Sequence, residues 1–144
     1  MGMVYAEIEL VNSEDITLAK NGYLPKENIR RMTSTMLVDS GAYMMAINQE
    51  TKAQLGLQEI KKQKAQMANG DVIELSVVGP IKVYFANRDC TVDAFVLPGN
   101  TEELLGAIPM EYMAIQRFGV LIHPQQNALI VNPAHPNVPQ LKMK

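Results

Sequence analysis

The sequence predicts a mainly β fold, a small closed barrel or sandwich carrying one or two short helices, and three observations lead there. Apolar and polar residues alternate from Val4 to Val11, with Val4, Ala6, Ile8 and Leu10 against Tyr5, Glu7 and Glu9, the period of a half-buried strand. Further β-rich runs recur roughly every eight to twelve residues with turn residues between them. The helical signals are brief, and the clearest runs only from Gln49 to Leu55.

At 144 residues and 47% hydrophobic composition, the chain can bury about two thirds of its unfolded surface in one core. The expected organisation is one domain over residues 1–131. A tail over 132–144, holding three of the eight prolines, is expected to be extended or frayed.

After the first strand, residues 12–28 lose periodicity through Asn12-Ser13-Glu14-Asp15 and Lys20-Asn21-Gly22 and read as a long loop. Thr33 to Leu37 resumes as a strand. Tyr43 to Ile47 continues extended, and Asn48 caps the short helix that Gly56 closes. The run from Lys64 to Leu75 folds around Asn69-Gly70, the dipeptide suited to a type I′ hairpin because both positions tolerate positive φ. Ile81–Ala86 and Thr91–Leu97 form another pair, joined at Asn87-Arg88-Asp89. A second short helix is placed over Pro109–Ile115, and Gly119–Ile122 pairs with Ala128–Val131 as a last hairpin.

Composition removes several classes of function. A net charge of −2 with scattered Lys and Arg gives no footprint for nucleic acid or an anionic membrane; Lys61-Lys62-Gln63-Lys64 reads as a solvated connection. No apolar run approaches the ~18 residues of a membrane span. The opening Met1-Gly2-Met3-Val4-Tyr5-Ala6-Glu7 lacks the basic start of a secretory signal, and Ala6 stands where a myristoylation signal has Ser or Thr. The single cysteine, Cys90, allows no intrachain disulfide or thiolate cluster and reads as a small core residue. His123 and His135 lack helical metal-ligand spacing. A cytoplasmic protein without a metal is expected.

The chemistry-bearing feature is Asp39-Ser40-Gly41-Ala42, entered through the apolar run Met36-Leu37-Val38. A carboxylate delivered by a hydrophobic strand into a turn is rarely placed without a partner or a task. An isolated Asp-Ser-Gly is commonly an ordinary turn. Here it is followed by an Asn-Gly hairpin, Ala68-Asn69-Gly70-Asp71, and later by Glu103-Leu104-Leu105-Gly106 and Ile108-Pro109-Met110-Glu111.

In the order and spacing of these segments, from Val4 to Val131, the chain resembles retropepsin-like (retroviral-type, clan AA) aspartic proteases, particularly their short single-domain prokaryotic members. The resemblance implies a small closed β barrel of the acid-protease type and an aspartic endopeptidase working as a homodimer. Asp39 of each protomer would meet its copy on the two-fold axis. Two carboxylates about 3 Å apart share a proton, so one activates a water as general base while the other polarises the scissile carbonyl. Neither a metal nor an organic cofactor is required.

By the same resemblance, Ser40 bonds across the axis, Gly41 lets the substrate backbone approach, and Ala42 keeps the wall small. Ala68, Asn69, Gly70 and Asp71 are flap candidates that close over an extended peptide by strand addition, although an Asn-Gly hairpin taken alone is also compatible with a plain turn. Leu104, Leu105 and Gly106 match the element packed beside the catalytic loop. Where retroviral members carry acidic residues after the motif, this chain has Tyr43 and Met44. They are candidates for an apolar substrate groove, while Met on a strand also serves as core. Two other readings stay open: a dimeric module that binds peptides without cutting them, and a purely structural dimeric β domain.

Overall fold

The computed structural model describes residues 3–39, 41–67, 69–114, 120–123 and 128–131. The elements run β1 (Tyr5–Asn12), α1 (Ser13–Lys20), a 3-10 turn (Lys26–Asn28), β2 (Arg31–Val38), β3 (Met45–Asn48) and α2 (Gln49–Leu55). They continue with β4 (Gln58–Gln66), β5 (Val72–Phe85), β6 (Arg88–Leu97), β7 (Leu104–Leu105), α3 (Ala107–Ala114), β8 (Val120–His123) and β9 (Ala128–Val131). The architecture is mainly β with short helices, as the sequence predicts.

A seven-stranded sheet has the order β1-β2-β7-β3-β6-β5-β4, and β1 also pairs with β5. That extra pairing, with Glu9 opposite Tyr84 and Asn12 opposite Ile81, closes the strands from β1 to β5 into a ring and leaves β4 outside it. The alternation in β1 determines the inward face: Val4, Ala6, Ile8 and Leu10 are buried. They join Met36, Met45, Ile47, Ile81, Val83 and Val96 in the main core, where each large apolar side chain contributes roughly 1.5–3 kcal/mol. The last hairpin is present as β8 paired antiparallel with β9. The tail from residue 132 lies outside the described residues.

The structure differs from the sequence expectation at four places. The stretch after β1 is not all loop: the Asn12 side chain accepts the Asp15 amide at 3.1 Å and starts α1, with Glu14 and Asp15 in its first turn. The helix escapes hydrophobic patterning because Asp15 is its only buried residue. Lys61, Lys62 and Lys64 are solvated but lie within β4, whose residues are almost all exposed. The second arm of the Asn69-Gly70 hairpin, expected to end at Leu75, and the run Ile81–Ala86 form one 14-residue strand, β5, with a register shift between Val78 and Ile81 where it faces β6. Finally, Arg88 is a fully buried residue of β6 rather than part of a connecting turn, and Ala86 takes the positive φ of 51° there.

Residues 12–30 are closed on themselves and tied to α2 by polar contacts. The buried Asn12 donates its side-chain amide to the Leu55 carbonyl at 2.8 Å, and its backbone amide bonds to the Arg30 carbonyl at 2.9 Å. Asp15 accepts from the Arg30 backbone amide, Nε and Nη2 at 3.0, 2.8 and 2.9 Å. The guanidinium hydrogen bonds lead in holding the Asp15 carboxyl below the usual carboxylate range. Arg30 also lies across Gly56, where a β-carbon would stand 1.7 Å from Nη1. Gly56 ends α2 at φ 62°, so both its conformation and its surroundings favour glycine.

Candidate active site

β2 carries Asp39 out of the core. β7 is inserted between β2 and β3, the strands on either side of the aspartate loop: Leu37 and Val38 pair in parallel with Leu104 and Leu105, while Ala46 pairs antiparallel with Leu104. The run Leu104-Leu105 is too short to be recognised as a strand from periodicity, yet its neighbours on both sides fix it.

This insertion holds the loop at several points. The Asp39 amide donates to the Leu105 carbonyl at 3.1 Å, and the Ala42 amide to the Asp39 carbonyl at 3.1 Å. The Gly41 amide donates to Asp39 Oδ1 at 2.9 Å and orients the half-buried carboxylate. Further on, Ala107 N and Ile108 N donate to the Ala42 and Tyr43 carbonyls at 2.8 and 2.9 Å. At Gly106, a β-carbon would lie 2.4 Å from the Met44 carbonyl oxygen and 2.9 Å from that of Ala42. The loop therefore rests directly on the Gly106 backbone. Ser40 lies outside the described residues.

Glu103, to which the sequence reading gave no separate role, ties the same strands together from the other side. Its buried carboxylate accepts from Ser34 Oγ of β2 at 2.5 Å and from the Asn48 amide at the end of β3 at 3.0 Å. Its carbonyl accepts the Leu37 amide at 2.9 Å. Its place before Leu104-Leu105-Gly106 is visible in the sequence, but neither partner is near it along the chain.

The β4–β5 hairpin packs against the strands that hold this loop. Ala65, Met67 and Ile73 on it, together with Phe95 and Leu104, pack around Ala46, Leu75 and Leu97. Leu104 is thus shared between this apolar wall and the strand pairing with β2. At the tip, Asn69, Gly70 and Asp71 are exposed, while Ala68 lies outside the described residues. The Met67 amide bonds to the Asp71 carbonyl and the Gly70 amide to the Met67 carbonyl. Only Gly70 of the Asn-Gly pair has positive φ, 90°, so the turn is not type I′, which needs it at both positions. Asn69 Oδ1 instead accepts the Asp71 amide at 3.0 Å, a local side-chain bond that serves the turn without left-handed Asn.

Tyr43 is 75% exposed beside the loop. Met44 is half-buried and lines a pocket of about 220 Å³ with Thr91, Val92, Asp93, Ile108 and Tyr112. Cys90 is buried, its thiol 3.7 Å from the Pro109 carbonyl, and burial pushes its pKa up to about 12. No group of three or more His, Cys, Asp or Glu residues is placed to hold a metal ion among the described residues.

A ring of paired strands, with an Asp-bearing loop resting on an apolar-apolar-Gly strand, defines an aspartic-protease-like domain. A family model described as "gag-polyprotein putative aspartyl protease" matches residues 28–108, more than half of the chain and all of the segment from β2 to the start of α3. The chain belongs to this family of retroviral-type aspartyl proteases. Among solved structures it is similar to the retroviral protease-like domain of Ddi1 from Leishmania major, with a TM-score of 0.52 and 14% sequence identity over 92% of this chain and 90% of that one. That likeness concerns the fold. No curated protein matches the chain.

Proposed function

We propose that this protein is an aspartic endopeptidase that acts as a homodimer, hydrolysing peptide bonds with a water activated between two Asp39 carboxylates. The observation that carries this reading is the clamped loop: Asp39 is presented by Leu105 and Gly41 on a backbone that rests on Gly106. Such a carboxylate is preorganised, so little reorganisation is needed on reaching the transition state. The chain has one Asp-Ser-Gly and so supplies half of a dyad; a two-fold dimer supplies the other half.

In the dyad, the two carboxylates share one proton because like charges at about 3 Å cannot both persist. The ionised Asp39 takes a proton from water as oxygen attacks the scissile carbonyl carbon. The protonated Asp39 donates to the carbonyl oxygen, giving a tetrahedral diol. Collapse of the diol breaks the C–N bond, with a proton passing to the leaving amine. Ser40, Gly41 and Ala42 support this loop, Leu104, Leu105 and Gly106 hold it from below, and the hairpin tip at residues 68–71 covers an extended peptide substrate. The reaction needs no cofactor. A cytoplasmic protein is consistent with the single cysteine; no helix among the described residues is long and apolar enough to cross a membrane.

Tyr43 and Met44 favour a second reading, a dimeric peptide-binding module that keeps the groove and does not cut, because they replace the acidic residues expected to clamp substrate backbone. Cleavage of a diverse peptide library from about pH 3 to 8 by the wild-type protein and Asp39→Asn, at concentrations where dimerisation has been verified, separates the two. Cleavage abolished by the substitution supports the peptidase. Peptide binding without cleavage by either protein supports the module, and cleavage that survives Asp39→Asn overturns the catalytic assignment.

A further inference from the structure

The pocket beside the aspartate loop has an uneven chemistry. Its volume is about 220 Å³, and Met44, Val92, Ile108 and Tyr112 supply an apolar surface beside a nearly equal polar share. Its one charged group is Asp93. The parallel pairing of Met45 with Ala94 sets Met44 and Asp93 side by side just before those strands begin their ladder. The Ile108 amide, bonded to the Tyr43 carbonyl, brings α3 against the same segment. The pocket is therefore continuous with the backbone that leaves Asp39.

Asp93 is exposed and has no hydrogen bond or ion pair among the described residues. The other carboxylate on that face of β6, Asp89, is bound by Lys82 at 2.7 Å. Asp93 also stands close to Gly79 of β5. It lies opposite the register shift between Val78 and Ile81, and a β-carbon on Gly79 would stand 2.4 Å from Asp93 Oδ1 and 3.2 Å from its α-carbon. Glycine at 79 thus leaves room for the carboxylate at the pocket's rim.

We infer that this pocket is an outlying subsite for a basic side chain, Lys or Arg, of the peptide substrate. The aliphatic stem lies along Met44, Ile108 and Tyr112, and the cationic head reaches Asp93, the division of apolar stem and solvated charge that these side chains favour. An acidic side chain is disfavoured by Asp93, and a short polar one leaves the apolar lining uncovered. The inference rests on the peptidase reading of the neighbouring loop and adds a substrate preference to it.

The test uses paired peptides, identical except for Lys or norleucine at each position in turn around a cleaved bond. For wild type, kcat/KM at one position distant from the bond is expected to be about threefold higher with Lys, the scale of a partly exposed ion pair, and this ratio falls as salt is raised. In the near-isosteric Asp93→Asn variant the ratio drops to about one. Equal cleavage of Lys and norleucine peptides by wild type, or an unchanged ratio in Asp93→Asn, overturns the subsite while leaving the peptidase intact. If wild type cleaves no peptide, the peptidase reading fails separately. The pocket is then judged by NMR of the Asp39→Asn protein with the same peptides: Lys-selective shifts at the Met44 methyl and Asp93 amide support it, and their absence overturns it.

Discussion

Gly106 and Met44 meet backbone to backbone: a β-carbon on Gly106 would lie 2.4 Å from the Met44 carbonyl oxygen and 2.7 Å from its carbonyl carbon. Neither contact partner is a flexible side chain that could turn away. Gly106→Ala must therefore separate β7 from the aspartate loop, at a cost of about 1–3 kcal/mol typical of overpacking, read from urea unfolding midpoints. If the loop is catalytic, kcat/KM falls by about a hundredfold in the population that stays folded, because small misplacements of reacting groups are expensive. Wild-type stability in Gly106→Ala would contradict this packing.

Asp39→Asn tests the reaction itself. The substitution keeps a side chain able to accept from the Gly41 amide at the position of Oδ1, so fold and dimer are expected to persist by circular dichroism and sedimentation. Cleavage is expected to fall roughly a thousandfold or more. For wild type, kcat/KM against pH should be bell-shaped, its two limbs belonging to the carboxylate pair rather than to either copy alone.

Asp15 contributes to stability in a defined pH window. The Arg30 hydrogen bonds lower its pKa from 3.8 in the folded protein, so the ionised form is favoured by folding. The resulting stabilisation is fully present above pH 3.8 and is lost as pH falls through the lower folded value. Asp15→Asn should cost about 1 kcal/mol at pH 7, because Arg30 is half exposed and solvent screens the pair. Denaturant titrations of both proteins should converge as pH is lowered below that range.

Cys90 should behave as an inert core thiol. With its pKa pushed up to about 12 by burial, the thiolate is scarce near neutrality. Iodoacetamide at pH 8 should label the native protein on the order of a hundredfold more slowly than the urea-unfolded chain. Rapid native labelling, followed by mass spectrometry, would contradict the burial of Cys90.

Strands that face the core announce themselves: alternation in β1 follows from one buried face, and α2 is marked by Asn48 and Gly56, whose capping chemistry is local. α1 was hidden because its anchor is polar, through Asp15 and Arg30 rather than an apolar stripe. The place of the Asn69-Gly70 turn is legible in the dipeptide, but its type depends on how Met67 and Asp71 close the hairpin. Arg88 looked like a turn residue because its burial depends on neighbours distant in the chain.

The same division runs through the candidate site. The sequence by itself determined the family resemblance, the mainly β class and the apolar strand leading into Asp39, since each is written in short-range pattern. Tertiary structure decided that β7 enters between β2 and β3, that Glu103 bridges Ser34 and Asn48, and that Asp93 stands beside Met44. Those relationships join residues far apart along the chain, and the closed circuit of strand pairs, which no local pattern encodes, brings them together.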